Sequence, residues 1–157
     1  MKNTKKGFTL VELVISMTIV TIVVALSAAM IVTMSKISSK REYEDKCVDE
    51  YQKASALILD FKNAYSINQY SLFSVEENEI TIKSSTNDYV LNFNLETKTL
   101  TAQIYNYETS QVDTKKITFE NIINISFVNT NNIVKCTYEF LNFHQYTNLL
   151  DFGVNWW

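Results

Sequence analysis

Apolar residues fill nearly every position from Phe8 to Met34, broken only by hydroxyls and by one charge, Glu12. As a helix this run rises about 40 Å at ~1.5 Å per residue, enough to cross roughly 30 Å of hydrocarbon. Ser16, Thr18, Thr21, Ser27 and Thr33 fit such a span because a helix lets hydroxyls bond back to carbonyls one turn earlier. From Ser35 charge enters but the period persists. Tyr43, Cys47, Tyr51, Ala54, Ile58, Phe61 and Tyr65 recur at steps of three and four, one face of a helix. Glu42, Glu44, Asp45, Asp49, Glu50 and Lys53 take the other faces. The pattern predicts one helix over about 8–65, ended by Ser66-Ile67-Asn68-Gln69.

Beyond Tyr70 the period drops to two. Tyr70–Val75 and Glu79–Lys83 read as short strands. Tyr89, Leu91, Phe93 and Leu95 alternate with polar or smaller partners, and Leu100, Ala102 and Ile104 alternate within Lys98–Tyr107. Lys115–Val128 gives Ile117 and Phe119, a break at Glu120-Asn121, then Ile123, Ile125 and Phe127. Val134, Cys136, Tyr138 and Phe140 alternate within Ile133–Phe143. Short strands joined by polar turns form antiparallel hairpins, and the stripe on 43–65 supplies the cover that a one-faced sheet needs. The expected fold class is α+β: a long N-terminal helix whose outer half packs on an antiparallel β-sheet within 70–157.

Composition bounds the rest. The 157 residues allow one domain and an anchor. The net charge of −3 argues against direct nucleic-acid binding, which is chiefly phosphate neutralisation. With two glycines and no proline there is no linker, and no internal repeat is evident. Two readings are open for Cys47 and Cys136: one disulfide closing a long loop, worth about 2–4 kcal/mol, or two buried thiols. His144, the sole histidine, reads as structural, and Glu76, Glu77 and Glu79 as a solvated loop. No constellation indicates an enzyme, a metal or a cofactor.

The opening stretch Lys5-Lys6-Gly7-Phe8-Thr9-Leu10-Val11-Glu12 resembles the signal of type IV prepilins and of the pseudopilins of type II secretion and DNA uptake. The resemblance rests on Gly7, Phe8, Glu12, the basic leader and the apolar run. It implies a leader 1–7 cut by prepilin peptidase between Gly7 and Phe8, and N-methylation of Phe8. It also implies that Glu12 faces the Phe8 amine of a neighbouring subunit during assembly. Losing Lys2, Lys5 and Lys6 would leave 11 basic against 17 acidic side chains. The implied partners are other pilin or pseudopilin subunits, the inner-membrane assembly platform and, before assembly, the lipid bilayer.

The basic flank keeps the N-terminus cytoplasmic under the positive-inside rule. Residues 8–34 then span the membrane or line a filament core, with 35–157 as an extracytoplasmic domain (helix 35–65, sheet 70–157) exposed on a periplasmic or extracellular filament. Many pilins carry a glycine and a proline where this chain has Thr21 and Ala29. The segment Ala54–Lys62 and the stretch Asn121–Phe127 before a cysteine-bearing strand are similar to minor subunits of the PilW or J type. A different reading is a conventional secreted or anchored binding domain, with Ala25-Leu26-Ser27 as its cleavage region. The terminal Trp156-Trp157 reads as a core edge or as a patch for another subunit.

Overall fold

A computed structural model of the chain describes residues 9–64, 72–130, 133–142 and 144–152. Gly7, Phe8, Tyr65, the helix-ending Ser66–Gln69 and the Trp156-Trp157 tail lie outside them. The chain divides into two compact units, Met1–Glu44 and Asp45–Trp157. One helix, α1 (Leu10–Ala64), belongs to both.

In the first unit every large apolar side chain of α1 from Leu10 to Met34 is exposed. The hydroxyls do what a lipid-facing helix requires. Thr18 Oγ1 donates to the Val14 carbonyl at 2.6 Å, Ser27 Oγ to Val23 at 2.8 Å and Thr33 Oγ1 to Ala29 at 2.9 Å. Ser16 and Thr21 also bond back, to Leu13 and to Met17 and Thr18. No hydroxyl among these five needs water.

Among the described residues of the second unit eight antiparallel strands follow the helix. They are β1 (Leu72–Val75), β2 (Glu79–Lys83), β3 (Asn87–Asn94), β4 (Thr99–Asn106), β5 (Gln111–Thr118), β6 (Ile122–Thr130), β7 (Ile133–Phe140) and β8 (Gln145–Asp151). The fold is the expected α+β arrangement of one long helix followed by antiparallel sheet. The sheet is divided, however: β1 to β5 form a meander in chain order, and β6, β7 and β8 form a second sheet. The two meet where the Phe127 amide donates to the Glu77 carbonyl at 2.8 Å. Asn78 Nδ2 adds bonds to Asn124 Oδ1 and the Ile125 carbonyl.

The core lies between these sheets and the outer turns of α1. Cys47, Ala54, Leu57, Ile58 and Phe61 of the helix are buried against Ile80, Ile82, Tyr89, Leu91, Phe93 and Leu100 from the first sheet. Ile122, Ile125, Phe127, Val134, Cys136, Tyr138 and Phe140 complete it from the second. Tyr43 and Tyr51 of the anticipated stripe are half-buried and Leu57 joins it. Phe152 packs on Phe73 with ring centroids 5.5 Å apart.

Ile122, not Ile123, points inward, because a bulge shifts the β6–β7 register between Ile122 and Asn124. Strand β8 lies beyond the strands that the period of two marks: its alternation is only half-buried, and the outward Leu149 is 68 % exposed, which blurs the polar side of the pattern.

A short repeat also exists. Asn94-Leu95-Glu96-Thr97-Lys98 and Asn106-Tyr107-Glu108-Thr109-Ser110 build the same turn twice in the meander. In each, the asparagine Oδ1 accepts two amides, of Glu96 and Thr97 or of Glu108 and Thr109. Each turn ends in a left-handed residue, Lys98 at φ 51° and Ser110 at φ 54°. That conformation costs an L-residue roughly 1–2 kcal/mol, and glycine, with its greater unfolded-state entropy, recovers part of it. Lys98→Gly and Ser110→Gly are each expected to stabilise the chain by about 0.5–1 kcal/mol, read as a higher denaturant midpoint with an unchanged slope.

Candidate functional site

The first site is the start of α1. Thr9 precedes the helix as its N-cap, and Glu12 stands three residues on. The Thr9 amide and its Oγ1 both donate to Glu12 Oε2 at 2.9 Å, while the Glu12 amide donates back to Thr9 Oγ1 at 3.3 Å. This is a capping box, and it satisfies helix-end donors that lipid cannot. The Thr-x-x-Glu spacing ahead of an apolar run is itself the signal for it. Glu12 therefore has a partner inside its own chain as well as a place at the end of an apolar helix. One carboxylate oxygen, Oε1, makes none of these bonds.

The second site is on the outer part of α1, at Glu50. Its carboxylate accepts the amides of Glu120, Asn121 and Ile122, at 3.0 Å from each at its nearest oxygen, together with Asn121 Nδ2 at 2.9 Å. Three consecutive amides converging on one anion form a nest. The nest is the turn between β5 and β6, where the chain leaves one sheet for the other. The helical pattern alone puts Glu50 on a face outside the apolar stripe. It lies three residues past Cys47 and four before Ala54, so it sits in the buried seam itself.

A polar chain next to it ties the helix to the last strand. The Tyr51 hydroxyl donates to Asn148 Oδ1 at 2.5 Å, Asn148 Nδ2 to Ser55 Oγ at 2.9 Å, and Ser55 Oγ to the Tyr138 hydroxyl at 3.3 Å. Tyr51 also stacks on Tyr146, centroids 4.9 Å apart, and meets Tyr138 edge-on. Burial holds the Tyr138 hydroxyl well above the usual phenol range.

Residues 2–28 match the family described as the prokaryotic N-terminal methylation motif. The chain carries a prepilin-type N-terminus. No curated protein and no solved structure matches it. The motif covers both the cleavage dipeptide expected from the sequence and Glu12. A prepilin-type N-terminus followed by an apolar helix fits membrane anchoring, and α1 is long and apolar enough to cross a bilayer. A motif of this kind indicates a structural subunit and suggests interaction with other pilins and with the peptidase.

The remaining candidates resolve simply. His144 is exposed in the β7–β8 turn, where its carbonyl accepts the Phe140 amide at 3.0 Å. Among the described residues no group of three or more His, Cys, Asp or Glu side chains is placed to hold a metal. Glu79 lies in β2 rather than in a loop, held by Asn92 Nδ2 and Thr81 Oγ1.

Cys47 and Cys136 are both buried thiols, and the contact register shows why a bridge between them does not fit. Glu50 meets Ile122, the ladder partner of Phe140, whereas Ser55 meets Asn148, the partner of Cys136. Helix and β7 thus run in opposite senses. Cys136 falls beside Ser55, two turns from Cys47 and about 12 Å along the axis, beyond the ~4.4–6.8 Å Cα separation of a disulfide.

Burial pushes the Cys136 thiol up from 9.0 to about 12. A raised pKa means that the folded state keeps a proton the unfolded state releases. The stability this contributes is full below 9.0 and is lost as pH rises toward 12. Both thiols are expected to resist alkylation at neutral pH until denaturant is added, and Cys136→Ala to flatten the fall in stability above pH 9.0. Reagent labelling and pH-dependent unfolding check the two halves.

Proposed function

We propose that this protein is a structural subunit of a type IV pilus or of a related type II secretion or DNA-uptake pseudopilus. In this reading prepilin peptidase cuts between Gly7 and Phe8, Phe8 is N-methylated, and the helix leaves the membrane to join a filament core. The leader starts in the cytoplasm and residues 35–157 lie outside it. Glu12 meets the Phe8 amine of the neighbouring subunit. An ion pair in low dielectric is costly to break, so it selects one axial register. A minor role, at the tip or in initiation, suits the likeness of Ala54–Lys62 to minor subunits of the PilW or J type.

The observation that carries the reading is the motif at 2–28 leading directly into one helix that also supplies the seam of the outer unit. Mass spectrometry of the mature chain tests it. The expected N-terminus is methylated Phe8. A chain starting near Ala28, or an intact Met1, would overturn it.

A further inference from the structure

The charges of α1 are ordered along its axis. After Met34 come Lys36, Lys40 and Arg41, and only then the acids Glu42, Glu44 and Asp45. All three basic side chains are exposed. Lys40 makes a loose contact with Glu44 at 3.7 Å while its side chain stays 75 % exposed. Arg41 is the chain's sole arginine.

Depth along the helix gives this collar a meaning. From Glu12 to Lys36 the axis rises about 36 Å at ~1.5 Å per residue, and a bilayer with its headgroups measures roughly 40–45 Å. A helix that keeps the Glu12 carboxylate at one interface therefore puts Lys36 among the headgroups of the other. Lys40 and Arg41 follow within the next turn, on two adjacent faces. On a helix at that depth their stems can lie along apolar surface with the cations in the polar layer, and the acids come after, farther from the hydrocarbon.

We propose that Lys36, Lys40 and Arg41 bind the phosphates of anionic phospholipid headgroups in the leaflet opposite Glu12 and so fix the depth of the helix. The occupant is lipid because the cations stand at headgroup depth and carry the complementary sign. Each basic residue near an anionic surface contributes about fivefold in binding. The proposal rests on membrane anchoring and is independent of which machine the subunit serves.

Native mass spectrometry of the full-length protein tests it, from micelles offering equal phosphatidylglycerol and phosphatidylcholine. The wild type is expected to retain phosphatidylglycerol preferentially. The triple variant Lys36→Gln, Lys40→Gln, Arg41→Gln should lose that preference by more than tenfold, and Lys36→Arg with Lys40→Arg should keep it. Helical circular dichroism shows that each variant is folded.

Equal retention of the two lipids by the wild type, or undiminished preference in the triple variant, overturns the proposal. So does displacement of the lipid by inorganic phosphate, which would mark a soluble-anion site. Charge-dependent dimers in place of lipid adducts would assign the collar to the acids of a second copy instead.

Discussion

Glu50→Ala is expected to lower the unfolding free energy of the chain by about 2–4 kcal/mol, a large share of what a domain of this size has. The substitution deletes an anion that serves the amides of Glu120, Asn121 and Ile122 and the Asn121 side chain together. Alanine cannot replace any of those bonds. The Asn121 and Ile122 donors are left part-buried, whereas the Glu120 amide is at an exposed residue. Glu50→Gln keeps one acceptor oxygen and should recover about half of the loss. Denaturant unfolding of the two variants measures both. A loss below ~0.5 kcal/mol for Glu50→Ala would show that water takes over the nest and that Glu50 is a surface residue after all.

The second large effect belongs to Glu12. Under the subunit reading, Glu12→Val should insert and be cut normally, yet enter filaments at least ~100-fold less, since breaking an ion pair at low dielectric costs about 3–5 kcal/mol. Valine also removes the capping box, so the result needs two companions. Glu12→Gln keeps an acceptor for the Thr9 amide and loses only the charge. Thr9→Val keeps the charge and loses the cap, at about 1 kcal/mol. If pairing with the neighbouring amine is what matters, Glu12→Gln fails like Glu12→Val while Thr9→Val assembles. The reverse ranking would assign Glu12 to helix initiation alone. Sheared-filament yield against total membrane-associated protein is the readout.

Much of the fold was legible because burial enforces period. Val134, Cys136, Tyr138 and Phe140 alternate in the sequence and all four are buried. Leu91, Phe93 and Leu100 behave alike. Failures came where a local event broke the period or where polarity misled. The bulge at Ile122 changes which isoleucine faces inward, and one sequence cannot distinguish the two. Strand β8 has no fully buried position between Gln145 and Asp151, so its face is set by the helix laid over it rather than by its own hydrophobicity.

At the candidate sites the motif itself is readable, and the internal partner of its acid follows from the same residues. Thr9 was available as the cap three residues before Glu12. Glu50 reads as lying outside the apolar stripe, since a carboxylate usually marks the wet side of a helix. Its place in the three-and-four rhythm of Cys47, Ala54, Leu57 and Ile58 was the stronger clue. The division into two sheets could not be read, since the break at Glu120-Asn121 looks like any turn until its amides are seen to share one acceptor.

The polar chain between Tyr51, Ser55, Asn148 and Tyr138 bears on how the domain comes to exist. Tyr51 and Asn148 are separated by 97 positions, and the strand that completes the helix seam follows β1 to β7 in the chain. A growing chain emerges with its seam uncovered and must keep it so until β8 arrives. Contacts of such long range impose a late, slow closure. The domain should therefore acquire its protease resistance only once β8 has been made, with shorter lengths still open to cleavage.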